Sequence, residues 1–98
     1  MQLNPQQIRT LKQQAHHLRP VVTAGQKGLS QAVFDEIEIA LEAHELIKVK
    51  LAGSERAERN GMGETIARRL HAQLVQLIGQ VAILYRPNPK KKGRRIIV

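Results

Sequence analysis

The spacing of apolar positions changes several times along this chain, and each change marks an element. Ile8, Leu11, Ala15 and Leu18 fall on one face of a helix over residues 5–18, with Arg9 and Lys12 off that stripe. Asn4-Pro5 in front of it supplies a capping side chain and a residue suited to the first helical position. Pro20 stops the helix, and Val21-Val22-Thr23-Ala24 reads as a short buried strand. A second helix opens at Ser30, carries Val33, Ile37, Ala40 and Leu41 inward, and runs to about His44. Its outer, solvated surface carries Asp35, Glu36, Glu38 and Glu42.

The period then falls to two. Leu46-Ile47-Lys48-Val49-Lys50-Leu51 places Ile47, Val49 and Leu51 on one side of a strand and Lys48 and Lys50 on the other. A third helix starts at about Glu55 or at Gly63 and ends near Ala72, burying Ile66, Ala67 and Leu70. Gly61 and Gly63 weaken helix in that stretch and leave both starts open. Leu74–Ile78 and Val81–Tyr85 are strands joined by the tight-turn dipeptide Gly79-Gln80. Pro87-Asn88-Pro89 interrupts regular structure, and Lys90 to Arg95 reads as a mobile basic arm, with Ile96-Ile97-Val98 a candidate edge strand. The order α-β-α-β-α-β-β predicts one compact α/β domain of two or three layers over residues 1–87, followed by an arm over 88–98.

Charge sharpens this outline. The 98 residues carry a net charge of +8, unevenly spread. Residues 1–29 hold Arg9, Lys12, Arg19 and Lys27 and no acid, whereas all eight acids lie between residues 30 and 64. Arg86, Lys90, Lys91, Lys92, Arg94 and Arg95 make the C-terminus strongly basic. Such polarity predicts one anion-attracting side, and the anion to consider is a nucleic-acid phosphate. The aromatics are Phe34, inside a helix, and Tyr85, at a strand end, so no stacking platform for bases is present. Contacts to backbone and shape are then expected to dominate.

The candidate phosphate site is Gly25-Gln26-Lys27-Gly28, between the first strand and the second helix. A glycine-bracketed loop at a helix N-terminus offers bare backbone N–H groups, the helix dipole adds about half a positive charge, and Lys27 adds a full one. Arg9, Lys12 and Arg19 join it if the first helix flanks the loop. Lys48 and Lys50 read equally well as RNA contacts or as the wet face of an edge strand. Arg86 follows the last strand, and Lys90, Lys91, Lys92, Arg94 and Arg95 read as a phosphate tether without sequence preference.

The segments Leu18–Val22, Gly25–Leu29, Glu36-Ile37, Ala40–Glu42, His44–Lys50, Val75–Gly79 and Leu84–Pro87 together resemble the CRM domain, the chloroplast RNA splicing and ribosome maturation family, over residues 3 to 87. That resemblance implies a fold similar to the C-terminal domain of translation initiation factor 3, a mixed four-stranded sheet with three helices. It also implies RNA binding, with Gly25, Gln26, Lys27 and Gly28 as a KH-like phosphate clamp. For stand-alone bacterial members it implies association with ribosomal RNA of precursor large subunits during their maturation. A protein–protein adaptor in ribosome assembly is the alternative, its acidic middle segment facing a basic partner.

Other chemistry has little support. The chain has no cysteine, which removes disulfides and zinc–thiolate sites and suits a reducing, cytoplasmic compartment. No apolar run approaches the ~20 residues of a membrane span. His16, His17, His44 and His71 make no convincing metal set. Glu36, Glu38 and Glu42 have the spacing of a solvated helix face, and no nucleophile–base arrangement suggests an enzyme. The expectation is a monomer with no cofactor and no small-molecule substrate.

Overall fold

The computed structural model describes residues 2–25, 28–53 and 55–90. Gln26, Lys27, Lys91, Lys92, Arg94, Arg95 and the strand expected at Ile96–Val98 lie outside the described residues. The elements are α1 (Pro5–Ala15), β1 (Pro20–Ala24), α2 (Gln31–His44), β2 (Leu46–Leu51), α3 (Arg56–Arg69), β3 (Gln73–Ile78) and β4 (Val81–Tyr85). They form a four-stranded sheet in the order β1-β2-β4-β3. β1 and β2 are parallel, joined by the α2 crossover, and the β2–β4 and β3–β4 pairs are antiparallel. The sheet is therefore mixed, as the resemblance implied.

The two faces of the sheet are covered unequally. On one, α2 and α3 enclose the main core, built around Phe34, Ile37, Leu41, Ile47, Val49, Leu51, Ile66 and Leu84. On the other, α1 alone packs Leu11 and Ala15 onto Leu46, Val75, Ile83 and Tyr85. Alternation in β2 serves both: Ile47, Val49 and Leu51 enter the main core, while Leu46 enters the smaller one.

Helix ends follow their caps. Asn4 Oδ1 accepts from the Gln7 amide at 2.8 Å, and Gln7 Oε1 accepts from the Asn4 amide at 3.0 Å, a reciprocal cap with Pro5 at the first helical position. Ser30 Oγ accepts from the Val33 amide at 3.2 Å. The far end of α1 differs from the expected residue 18. The helix stops at Ala15, and the chain turns through His16 and His17 to enter β1 at Pro20. Pro20 thus opens the strand rather than ending the helix. Leu18, expected on the buried stripe, is 37% exposed, and its carbonyl accepts from Lys48 Nζ at 3.0 Å.

β1 is an edge strand and only half buried: Val22 and Ala24 point into the main core, while Val21 is 52% exposed. β2 lies between β1 and β4, so Lys48 and Lys50 are not guarding a sheet edge.

α3 takes the earlier of its two starts and runs through both glycines. The Glu55 side chain at its N-cap makes no capping bond; among the described residues, tertiary contacts hold its first turns. Arg59 donates to the Gly53 carbonyl at 2.9 Å and the Gly79 carbonyl at 3.0 Å, and Arg56 donates to Leu77 O at 3.3 Å. Gly63 is buried where the helix meets the sheet, and a Cβ there would stand 3.2 Å from Leu74 Cδ2. Gly61 faces open space. Gly63→Val is therefore expected to destabilise by about 1–3 kcal/mol through overpacking. Gly61→Ala should stabilise by about 0.5–1 kcal/mol through backbone entropy. Urea unfolding of both variants checks the pair; a stabilised Gly63→Val would show that the close approach is not needed.

Candidate nucleic-acid interface

The side of the sheet beneath α1 can be followed row by row from the strand register. Leu46 and Tyr85 form one row and Lys48 and Ile83 the next, both at or under the helix. The third row runs Thr23, Lys50, Val81, Ile78 across all four strands. None of α1, α2 and α3 covers it: Thr23 and Lys50 are exposed, Val81 is half-buried, and Ile78 is 54% exposed. Thr23 lies two residues before Gly25, so this bare row adjoins the glycine loop.

α1 borders the row with basic side chains. Lys12, Gln13, His16 and His17 line a groove of about 440 Å3 with Lys48 and Gln76 from the sheet. Ile78 and Ile83 are its apolar wall. Arg9 lies one helical turn before Lys12, exposed, with Gln6 Oε1 at 3.5 Å. Lys12 and Lys50 have no partner among the described residues. Lys48 is half-buried and spends one of its three N–H bonds on Leu18 O. The structure thus brings Arg9, Lys12, Lys48 and Lys50 onto one side of the molecule.

The glycine corner is more self-contained than the sequence suggested. The Gly28 amide donates to the Gly25 carbonyl at 2.9 Å, closing a tight turn, with Gly28 at φ +80°. That N–H is occupied by the protein's own oxygen, and the Val33 amide is taken by its cap. One donor and one acceptor of the bracketing glycines are thus spent on each other, because an amide three residues after a carbonyl can reach it. At the start of α2, the Gln31 and Ala32 amides have no acceptor among the described residues. They and the helix dipole are the anion-attracting groups described at this corner. Glu58, on the first turn of α3, lines a small cleft with Gly25 and Gly28. The loop accordingly has an acidic flank toward α3 and a basic flank toward Lys50.

Three expected contact residues lie elsewhere. Arg19 immediately precedes the five-residue β1 and Gly25 immediately follows it, a separation of about 20 Å along extended chain. Arg86 is committed within the fold: Nη1 donates to Glu38 Oε2 at 2.6 Å and Leu70 O at 2.8 Å, and Nη2 donates to Glu42 Oε1 at 3.1 Å. Glu38 and Glu42 are consequently not merely solvated, as their helix positions had suggested. Lys90 is exposed, and its amide donates to Asn88 Oδ1 at 3.0 Å.

Asn88, expected to begin the arm, is itself pinned. Its amide donates to Glu45 Oε2 at 2.5 Å and its side chain to the Glu42 carbonyl at 3.0 Å. Glu45 is 1% exposed and holds φ +65°, with its amide on Leu41 O and its carbonyl on the Arg86 amide. Asn88 therefore lies at the C-terminal end of α2. That is about 21 Å along a fourteen-residue helix from the glycine loop.

The sequence reading missed two features. His16 and His17, weighed only as metal ligands, belong to the basic groove. Arg69, to which no role was assigned from sequence, stands over the Phe34 ring at 4.3 Å and donates to Gln31 Oε1 at 3.1 Å, beside the start of α2. A Phe34–Arg69 pairing has no local sequence signal; the histidines' place at the end of the Arg9–Lys12 flank was legible from helical spacing.

Residues 3–86 match the CRS1 / YhbY (CRM) domain. The chain belongs to that family. A CRM relative from Haemophilus influenzae, named an RNA-binding protein, is 47% identical over 90 residues, covering 92% of this chain and 91% of the relative. A Pseudomonas aeruginosa protein named "Probable RNA-binding protein" is 43% identical over 90 residues, covering 92% and 86%. The solution structure of a hypothetical Staphylococcus aureus protein superposes with a TM-score of 0.83 at 30% identity, covering 93% of this chain and 95% of that one. The CRM fold of this chain, three helices on a mixed four-stranded sheet, is thus shared with a solved structure.

Proposed function

We propose that this CRM protein binds structured RNA through the half-covered side of its sheet, with α1 on one border and the glycine loop on the other. The observation that carries the reading is the continuity of Lys12, Lys48 and Lys50 with the bare row that ends beside Gly25. Lysine ammonium groups hold phosphates as point charges, and counterion release from the RNA drives the association. Gly25, Gln26, Lys27 and Gly28 form the phosphate-gripping loop in this reading, aided by the Gln31 and Ala32 amides, which have no acceptor among the described residues, and by the dipole of α2. Glu58 repels phosphate from the α3 side, so the strand approaches the loop from the Lys50 side. Arg9 extends the basic border. Arg19 and the run Lys90, Lys91, Lys92, Arg94 and Arg95 act at a distance, as electrostatic attraction rather than as part of the grip. Arg86 is left out, because its donors are spent on Glu38, Glu42 and Leu70.

The RNA we propose is ribosomal, within precursors of the large subunit, and the role is assistance in their maturation. Two things support this: membership of the family, whose stand-alone bacterial members the sequence resembles, and relatives named for binding RNA rather than for a reaction. Binding by a monomer, without catalysis or cofactor, is the form the proposal takes.

Lys12→Ala combined with Lys50→Ala should weaken binding to a large-subunit RNA fragment and reduce the salt dependence, each lost phosphate contact removing about 0.7–0.9 from the slope of log K against log salt. Arg68→Ala, on α3 at the opposite side of the sheet, should leave the slope unchanged. Equal effects of the two variants in an anisotropy titration would show that only total charge matters. In cells, the protein should co-sediment with large-subunit precursors at low salt and leave them as salt rises. Recovery only at the top of the gradient would end the ribosomal reading.

A further inference from the structure

The groove beside the C-terminal end of α1 has features that phosphate binding does not require. Phe34 and Tyr85 are each 4% exposed, so both aromatic rings of the chain belong to the core. The exposed rings are histidines, and two of them, His16 and His17, stand together in the basic groove with centroids 5.3 Å apart and planes nearly perpendicular. The side-chain amides of Gln13 and Gln76 line the same groove, with no hydrogen-bond partner among the described residues. Each offers both donors and an acceptor. Ile78 leaves more than half its surface in water there. At about 440 Å3 the groove lies within the size range of small-ligand pockets, about 300–1,000 Å3.

We propose that this groove takes a single unpaired nucleobase, extruded from an otherwise paired RNA. The base packs between the histidine rings and Ile78, while Gln13 or Gln76 meets its edge. Lys12 and Lys48 hold the flanking phosphates. A fully paired helix offers no free base face, and a chain with no exposed Phe, Tyr or Trp has no extended platform for a run of unpaired bases. One ring pair in one groove fits one base. The inference rests on the RNA-binding reading and adds to it the kind of RNA element preferred: a bulge or a flipped nucleotide beside a helix.

The test uses the full chain and three RNA hairpins: fully paired, with one bulged nucleotide, and with the same bulge made abasic. The wild-type protein should bind the bulged hairpin at least about fivefold more tightly than the abasic one, the lower end of measured base–ring stacking. The double variant His16→Ala, His17→Ala should bring that ratio to about one. His16→Phe, His17→Phe, which keeps the rings, should preserve it. Unchanged thermal midpoints confirm that the variants are folded. A wild-type ratio of one, with all three hairpins bound, overturns the nucleobase pocket and leaves the RNA-binding reading standing. A ratio that survives in the alanine variant places base recognition elsewhere and overturns the assignment. A ratio lost in the phenylalanine variant overturns stacking as its cause. Failure to bind any hairpin overturns both readings.

Discussion

One helix cannot cover a sheet of four strands. An α-helix with its side chains is about 10 Å across, whereas strands of five or six residues are about 17–20 Å long. On one face of this sheet two helices share the work and the core closes. On the other, α1 buries Leu46, Ile83, Val75 and Tyr85 and reaches no further. The row Thr23–Lys50–Val81–Ile78 is what it leaves bare. The sequence is consistent with that exposure: two of the four residues are polar, and the flank of α1 above them is basic rather than apolar. The candidate interface is the uncovered remainder of the fold, lined with charge.

α2 organises the charge. Its N-terminal end follows the glycine loop, and two of its amides have no acceptor among the described residues. Its C-terminal half carries Glu38 and Glu42, the buried Glu45 follows as its cap, and these three receive Arg86 and Asn88. These carboxylates attach the last described segment to the domain on the side away from Lys12 and Lys50. Separating acids from the basic side of the sheet gives a phosphate backbone a favourable approach without repulsion from α2, a matter of where charges lie rather than of the net +8 alone.

Much of the fold was legible because periodicity reports burial. The alternation in Leu46–Leu51, the stripe of α2 and the turn at Gly79-Gln80 all appear as expected. What was not legible depends on tertiary neighbours. No local signal makes β1 an edge strand and β2 an inner one; strand order decides it. α1 ends before the apolar spacing does because the chain must turn into β1, and Lys48 donates to the Leu18 carbonyl in that turn. Gly63 reads as a helix breaker and is instead the small residue that lets α3 approach Leu74. At the candidate site, helical spacing revealed the basic flank of α1. Arg86 misled, because its carboxylates lie 44 and 48 residues earlier in sequence. The glycine loop misled in part, because its own carbonyl takes an amide that seemed available.

Amide chemical-shift mapping on titration with a structured ribosomal RNA fragment tests the central claim most directly. Shifts should concentrate at Lys12, Thr23, Lys48, Lys50 and Ile78 and continue into Gly25 and Gly28, with the outer surfaces of α2 and α3 unmoved. A footprint centred on Glu36, Ile39 or Arg68, with the bare row silent, would contradict it.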